Sequence, residues 1–467
     1  MKIQNTYPFI LLLMIIISFS SIIAIVWSLL LGANSIPFIL LLIIAIFIFV
    51  CVYISNNKIN IEDIDKKTCV LSTFIIWLIL IVMGTIPFYI LFPDEKIKDI
   101  FFLTSSLVST NGIWSNIEVS DISSFLIWQS ILQWLGGLCT IVVGSFFVEM
   151  VLSKKNMSKD YFSIENFKII FFLYSSITII FIFIFSFLLN NLNDAIQVSM
   201  ALISTSNAFT SRGDIIIEFN NLTKLFMIFS MIIGSLSINL HYKSFSHGFL
   251  NYIKNKNIRI TFIIMLIFTL ILSFYSFNYI KMPFIDKFIN ICFLIISFIT
   301  TTGLIPEKIY SYGLLSNVII LLAMLTLIGG SVSSTSGGMK ASRIIYIFKY
   351  IYIELFRLVN PRKIMASEKI NNIDETFQIF LFCILYLISI PLLASILSIF
   401  DLRFEDSFLV IISTITNSGI GILEIANLNY YPDSFFEVIF LSIVMVLGRI
   451  EIFLTMILIS GIFWKKI

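Results

Sequence analysis

Ile295-Ile296-Ser297-Phe298-Ile299-Thr300-Thr301-Thr302-Gly303 is the stretch on which the reading of this chain turns. It closes an apolar segment near 286–301 that is too short for the ~20 residues a helix needs to cross a hydrocarbon core, and runs of ~10–14 residues are candidates for re-entrant helices. Backbone that leaves a helix inside a membrane is tolerated only when it is buried in protein or lines water. The glycine at the end of the stretch permits φ > 0 and turns consecutive carbonyls toward one axis. Carbonyls aimed in this way replace the hydration shell of a permeating cation. The C-terminal, partly negative end of the short helix points at the same axis.

The theme occurs four times. Short segments near 98–110, 195–207 and 405–416 run into Ser109-Thr110-Asn111-Gly112, Ser206-Asn207-Ala208-Phe209 and Thr416-Asn417-Ser418-Gly419. Around them lie ten apolar runs of spanning length, at roughly 8–32, 36–54, 69–92, 124–152, 168–190, 222–242, 260–280, 314–348 (interrupted), 376–400 and 435–463. A lone Gly/Ser/Thr loop merely turns a chain, but four in one context predict a pore-building unit. The expected fold is all-α and polytopic, with two leader helices and four M1–P–M2 pore repeats around one central pore. The expected divisions are 1–57 for the leader and 58–160, 161–250, 251–365 and 366–467 for the repeats.

Composition points the same way. Of 467 residues, 59% are hydrophobic and 12% charged, with a mean hydropathy of +1.03, whereas a soluble domain is nearer ~25% charged. Twenty-seven acids and thirty bases do not cover the surface of a soluble protein of this length. The run from about Pro8 to Leu31 exceeds the ~7–15 residues of a signal-peptide core and reads as a retained first span. A net charge of +3 gives no ground for a nucleic-acid partner. Cys51, Cys69, Cys139, Cys292 and Cys383 have no metal-ligand spacing, and the two histidines, His241 and His247, share one basic loop. No HExxH, Walker A or GxGxxG pattern is present, so no enzyme chemistry and no bound cofactor is expected.

Lysine and arginine accumulate in loops on the cytoplasmic side of a membrane. Lys154, Lys155, Lys159 and Lys168 form one basic cluster, Lys243, Lys254, Lys256 and Arg259 a second, and Arg343, Lys349, Arg357, Arg362, Lys363 and Lys369 a third. With Lys465 and Lys466 they fall on one side if each short helix dips in and returns from the opposite side. That opposite side is acidic, with Asp94, Glu95, Asp99, Glu118, Asp121, Asp194, Asp214, Glu218, Asp401, Glu405, Asp406 and Glu424. The acids read either as a solvated rim or as a vestibule that concentrates cations. Both termini are expected in the cytoplasm.

Beyond the loops the chain carries Gly84-Thr85-Ile86-Pro87-Phe88, Gln133-Trp134-Leu135-Gly136-Gly137, Gly329-Gly330-Ser331-Val332-Ser333-Ser334-Thr335-Ser336-Gly337-Gly338-Met339-Lys340 and Gly448-Arg449-Ile450-Glu451-Ile452-Phe453. With these motifs in this order the sequence resembles the Trk/Ktr/HKT superfamily of K+ transporters over nearly its whole length, and its two extra leading spans resemble the TrkH branch. The resemblance implies a K+ filter formed by Thr110, Asn111, Gly112, Ser206, Asn207, Ala208, Phe209, Thr301, Thr302, Gly303, Asn417, Ser418 and Gly419. It implies a gate formed by Gly329, Gly330, Ser334, Thr335, Gly337, Gly338, Lys340 and Arg449. It further implies a homodimer in a bacterial inner membrane, regulated by a cytosolic nucleotide-binding subunit of the TrkA type.

Two departures bear on mechanism. Laid against the superfamily without a gap, Phe209 falls where the selectivity glycine belongs, and with a one-residue gap Ala208 does. Either predicts weaker discrimination of K+ from Na+. Run 329–338 reads as an intramembrane gate or as a packing kink. Arg449 reads as a barrier facing the pore, or as half of a buried pair with Glu149 or Glu451. Rival functions are an ion-coupled K+ symporter and a membrane-embedded enzyme acting on lipid phosphates.

Overall fold

The computed structural model describes residues 6–55, 66–114, 117, 122–148, 164–209, 216–217, 219–276, 282–311, 313, 315–360, 373–428 and 430–450. Helices dominate them, since in hydrocarbon each backbone N–H and C=O must find its partner within the segment. The leader is a hairpin of α1 (Tyr7–Leu31) and α2 (Ile36–Ser55), turned at Gly32, which takes φ 67°. α3 (Lys66–Leu91), the short α4 (Ile97–Val108) and α5 (Ile122–Val142, extended by π-helical turns over Val143–Val148) follow. Next come α6 (Ile164–Leu189), the short α7 (Leu192–Ile203) and α8 (Asn221–Ser235), then α9 (Ile238–His247) and α10 (Leu250–Lys254). α11 (Lys256–Tyr275), the short α12 (Phe284–Ile299), the single turn α13 (Glu307–Tyr310) and α14 (Ile319–Ile328) precede α15 (Ala341–Val359). The last set is α16 (Ile373–Leu397), the short α17 (Phe404–Ile415), α18 (Ile420–Ile425) and α19 (Phe435–Ile450). Among the described residues the one strand pairing is a two-residue parallel contact of β1 (Ile216–Ile217) with β2 (Ile305–Pro306).

Seven described helices are long and apolar enough to cross a membrane, so the chain is an integral membrane protein; an eighth is added if the bent pair of α8 and α9 counts as one span. The expectation of a continuous apolar run at 222–242 is corrected, because the chain turns by 101° between Ser235 and Ile238. The reason lies in the partners of the freed backbone. The Ser331 N–H donates to Ser235 O at 2.9 Å and the Ile238 N–H to Ser333 O at 3.2 Å, so a distant loop satisfies what the helix ladder gives up. Run 314–348 is split by residues 329–340, and of run 435–463 the part after Ile450 lies outside the described residues.

The four short helices share their end chemistry. Each has an acid in its first turn, Asp99, Asp194, Asp286 and the pair Glu405 and Asp406. Acids there favour the helix by about 0.3–1 kcal/mol each. Part of the acidic edge therefore has a structural cause.

Side-chain size then sets how the helices meet. Gly84 of α3 lets Leu132 and Thr104 approach to where a Cβ would stand 2.9 Å from each, and its carbonyl accepts from the Trp128 indole at 2.9 Å. One apolar core, with Met14, Trp77, Phe88, Phe125 and Trp128, joins the leader to α3–α5, and a second joins α3–α5, through Cys69, Phe102, Leu138 and Ile141, to the rest of the bundle. The long helices alternate with the short ones in a closed circle: α5 packs on α4 and α7, α8 on α7 and α12, α14 on α12 and α17, and α19 on α17 and α4.

Candidate functional site

That circle brings the C-terminal ends of α4, α7, α12 and α17 together, and the four ends are built alike. In each, the second residue past the helix donates its N–H to the carbonyl three places back and the next residue to the carbonyl five places back. For α4 these are Thr110 to Leu107 at 2.9 Å and Asn111 to Ser106 at 2.8 Å; for α7, Thr205 to Leu202 at 3.1 Å and Ser206 to Ala201 at 2.9 Å. For α12 they are Thr301 to Phe298 at 3.1 Å and Thr302 to Ser297 at 2.8 Å, and for α17, Asn417 to Thr414 at 3.3 Å and Ser418 to Ser413 at 3.1 Å. This is the Schellman ending, which requires a left-handed residue at its turn. Thr110, Thr205, Thr301 and Asn417 supply it with φ of 56°, 52°, 62° and 52°. For a β-branched residue that conformation costs about 1–3 kcal/mol and persists only where the surroundings dictate it.

Two residues further on, Gly112, Gly303 and Gly419 are left-handed again, at φ 75°, 77° and 72°. The intervening residues keep negative φ. Alternation of hand is a backbone pattern that allows successive carbonyls to face one side. The loops also interlock, because a Cβ on Gly303 would lie 2.0 Å from Ser418 O and one on Gly419 1.8 Å from Asn111 O.

Thr110, Asn111, Gly112, Ser206, Asn207, Thr301, Thr302, Gly303, Asn417, Ser418 and Gly419 are thus brought together, all of the non-glycine members buried. The alignment of the second loop is corrected. The repeated hydrogen bonds match Thr205 with Thr110, so the glycine position is held by Asn207, neither by Phe209 nor by Ala208. Asn207 has negative φ. The Ala208 carbonyl accepts from the Gln133 side chain, and Phe209 packs into the apolar core.

The glycine-rich run 329–340 lies against one end of this ring. It is folded on itself, since a Cβ on Gly329 would meet Gly337 O at 2.2 Å, and the Gly330 N–H donates to Ser336 Oγ at 3.0 Å. Gly338 (φ 74°) presses on Thr326 O, the Ser334 hydroxyl donates to Ser331 O at 2.6 Å, and the Lys340 ammonium donates to Ser336 O. Its middle touches three of the four quarters. Thr335 Oγ1 donates to Ile203 O at 3.0 Å and Gly234 O at 2.8 Å. The Gly337 N–H donates to Thr301 Oγ1 at 2.8 Å, and a Cβ on Gly337 would stand 1.8 Å from Thr416 O. Arg449 completes the set by donating to Ser109 O at 2.6 Å, to Thr335 O and to Thr110 Oγ1.

Arg449 is buried, and among the described residues no carboxylate is paired with it; Glu149 and Glu451 lie outside them. The cavity beside it, lined by Thr140, Gly144, Lys340 and Tyr386 among others, is about 20 Å³, room for about one water molecule.

Several contributors escape a reading of the sequence. Gly136, Gly234 and Gly448 each face a carbonyl near a short helix's end, Val108 O at 1.8 Å, Ile203 O at 2.7 Å and Ile415 O at 2.3 Å from a built Cβ. A glycine inside an otherwise apolar helix is the available signal. The Tyr310 hydroxyl donates to Glu424 at 3.2 Å, and burial, then the neighbouring carboxylate, raises the phenol's pKa.

Four short helices whose C-terminal loops converge inside a bundle of apolar helices of spanning length make this an all-α, polytopic integral membrane protein. No model of a known protein family matches the chain. It is 26% identical over 428 residues to the Trk system potassium uptake protein TrkH of Escherichia coli K12, covering 86% of this chain and 87% of that one. It is 24% identical over 455 residues to an uncharacterized cation transporter of Methanocaldococcus jannaschii, covering 93% and 91%. Its fold matches the crystal structure of the potassium transporter TrkH from Vibrio parahaemolyticus with a TM-score of 0.89 at 23% identity, over 100% of both chains. The chain is TrkH-like, in line with the Trk/Ktr/HKT resemblance carried by its motifs.

Proposed function

We propose that the chain passes K+ across a membrane along the axis on which the four loops meet, with backbone carbonyls standing in for the ion's water. The observation that carries this reading is the fourfold Schellman ending, followed in three of the four loops by an alternating backbone hand and held at a strain that a simple turn does not need. The relatives are named as transporters and not as enzymes, which removes the support for a lipid-phosphate enzyme. Na+ shares the path to some degree, because the second loop lacks the left-handed glycine of the other three.

In the same reading run 329–340 and Arg449 form a closed gate, since together they contact each quarter of the ring from one side. A buried guanidinium whose partners are neutral oxygens also repels cations below the ring. Four pore repeats at 58–160, 161–250, 251–365 and 366–467, a two-helix leader at 1–57, cytoplasmic termini and an inner-membrane location complete the proposal. So do a homodimer and a TrkA-type cytosolic regulator docking on the basic stretch that includes Lys349 and Arg357.

Expression in cells lacking K+ uptake tests the core of it: growth at low K+ is the expected result, and no rescue by a well-expressed protein overturns it. Deleting 331–336, or replacing Arg449 with alanine, should raise transport. Unchanged flux in both variants would leave the loop a packing kink. A reversal potential in mixed K+ and Na+ measures how far Na+ is admitted.

A further inference from the structure

The second loop holds a side chain where the other three hold none. Asn207 is fully buried, and neither Oδ1 nor Nδ2 has a hydrogen-bond partner among the described residues. Its amide stands among the three left-handed glycines. A Cβ built on Gly112 would lie 1.6 Å from Asn207 Oδ1, one on Gly419 2.5 Å from Nδ2, and one on Gly303 3.3 Å from Nδ2. A group that close to three loops on three sides occupies the space they enclose. Asn207 also belongs to the level of the ring farthest from the 329–340 loop, which touches Ser109 by way of Arg449, Ile203, Thr301 and Thr416 instead.

A primary amide with both ends unmet in a dry site is unfavourable unless water or an ion completes it. Its carbonyl oxygen is of the same chemical kind as the backbone oxygens around it. It differs in being able to rotate about its side-chain bonds, whereas the carbonyls of the Schellman endings are fixed by their hydrogen bonds.

We infer that Asn207 is a swinging constriction at the outer end of the ring, whose amide lies across the axis, rotates aside to admit a monovalent cation, and then lends Oδ1 as one of that ion's ligands. This rests on the proposed conduction path. It adds a second barrier, independent of the loop at the opposite end, and it assigns a ligand that is a side chain.

The test uses the purified full-length chain in liposomes loaded for rubidium-tracer uptake. Asn207→Gly should raise the flux about tenfold, the rate equivalent of removing a barrier of about 1.4 kcal/mol. Asn207→Leu, similar in size and without a ligand atom, should stop it while the protein stays monodisperse. Wild-type flux in both variants, or loss of flux in a monodisperse Asn207→Gly, overturns the inference. Thermal protection by K+ is measured alongside in Gly303→Ser. Its loss there with Asn207 variants silent keeps the conduction path and discards the constriction; its retention together with full flux discards the path itself.

Discussion

The second and fourth loops begin identically and part at one residue. Both end a short helix with an acid in its first turn, and both close with a Schellman pair around a left-handed residue, Thr205 in one and Asn417 in the other. The fourth then reaches Gly419 at φ 72° and presses on Asn111 O. The second reaches Asn207 with negative φ, hands the next carbonyl to Gln133, and fills the centre with a side chain. Helix termination and ring geometry are therefore separable: hydrogen bonds within each quarter fix the first, and a single backbone hand fixes the second.

The largest effect should come from giving the fourth loop a side chain. Gly419→Ala places a methyl 1.8 Å from Asn111 O at a φ that L residues rarely adopt, so K+ uptake should fall at least about a hundredfold, the rate equivalent of a strain near 3 kcal/mol. Asn207→Ala, at an ordinary φ and without the amide that crosses the axis, should raise uptake instead of lowering it. Equal losses in the two variants would erase the distinction between the loops.

Thr301→Val comes next. It keeps the β-branched shape and removes the hydroxyl that holds the Gly337 N–H at 2.8 Å; initial-rate uptake should rise about three- to tenfold as that latch weakens by roughly 1 kcal/mol. A fall would show that the hydroxyl serves the ring rather than the loop. Gln133→Leu leaves the Ala208 carbonyl without its donor, which should cost about 1–3 kcal/mol in a thermal-unfolding assay. The smallest change belongs to Tyr310→Phe, which removes a bond to Glu424. It should lower stability by about 0.5–1.5 kcal/mol with flux unaltered.

The short helices were legible because their length conflicts with a bilayer crossing and their hydroxyl-glycine ends recur. Segments near 98–110 and 405–416 correspond closely to Ile97–Val108 and Phe404–Ile415. The break after Ser235 was hidden, since its carbonyls are satisfied by Ser331 and Thr335, about a hundred positions away, and no local signal encodes a distant donor. The faces of the spans were hidden for a different reason. On α2, Phe38, Leu41 and Ala45 are buried while Ile39, Ile43 and Phe47 are exposed, and all six are apolar because lipid and protein interior ask for the same chemistry. In the second loop, matching by residue type favoured Ala208 or Phe209. Matching by hydrogen bond selects Asn207, which a sequence does not display.

The contact that shuts the circle joins the first quarter to the last. Ser105 of α4 meets Ser442 of α19 at 2.8 Å, and Arg449 reaches Ser109, across more than three hundred residues of sequence. A ribosome delivers α4 to the bilayer long before α19 exists. Until then the end of α4 lacks the guanidinium that caps its carbonyl, and three quarters of the structure wait, incompletely seated, for the last helix to be inserted. A nascent chain halted before Arg449 is thus not a leaky pore in miniature but an unfinished one.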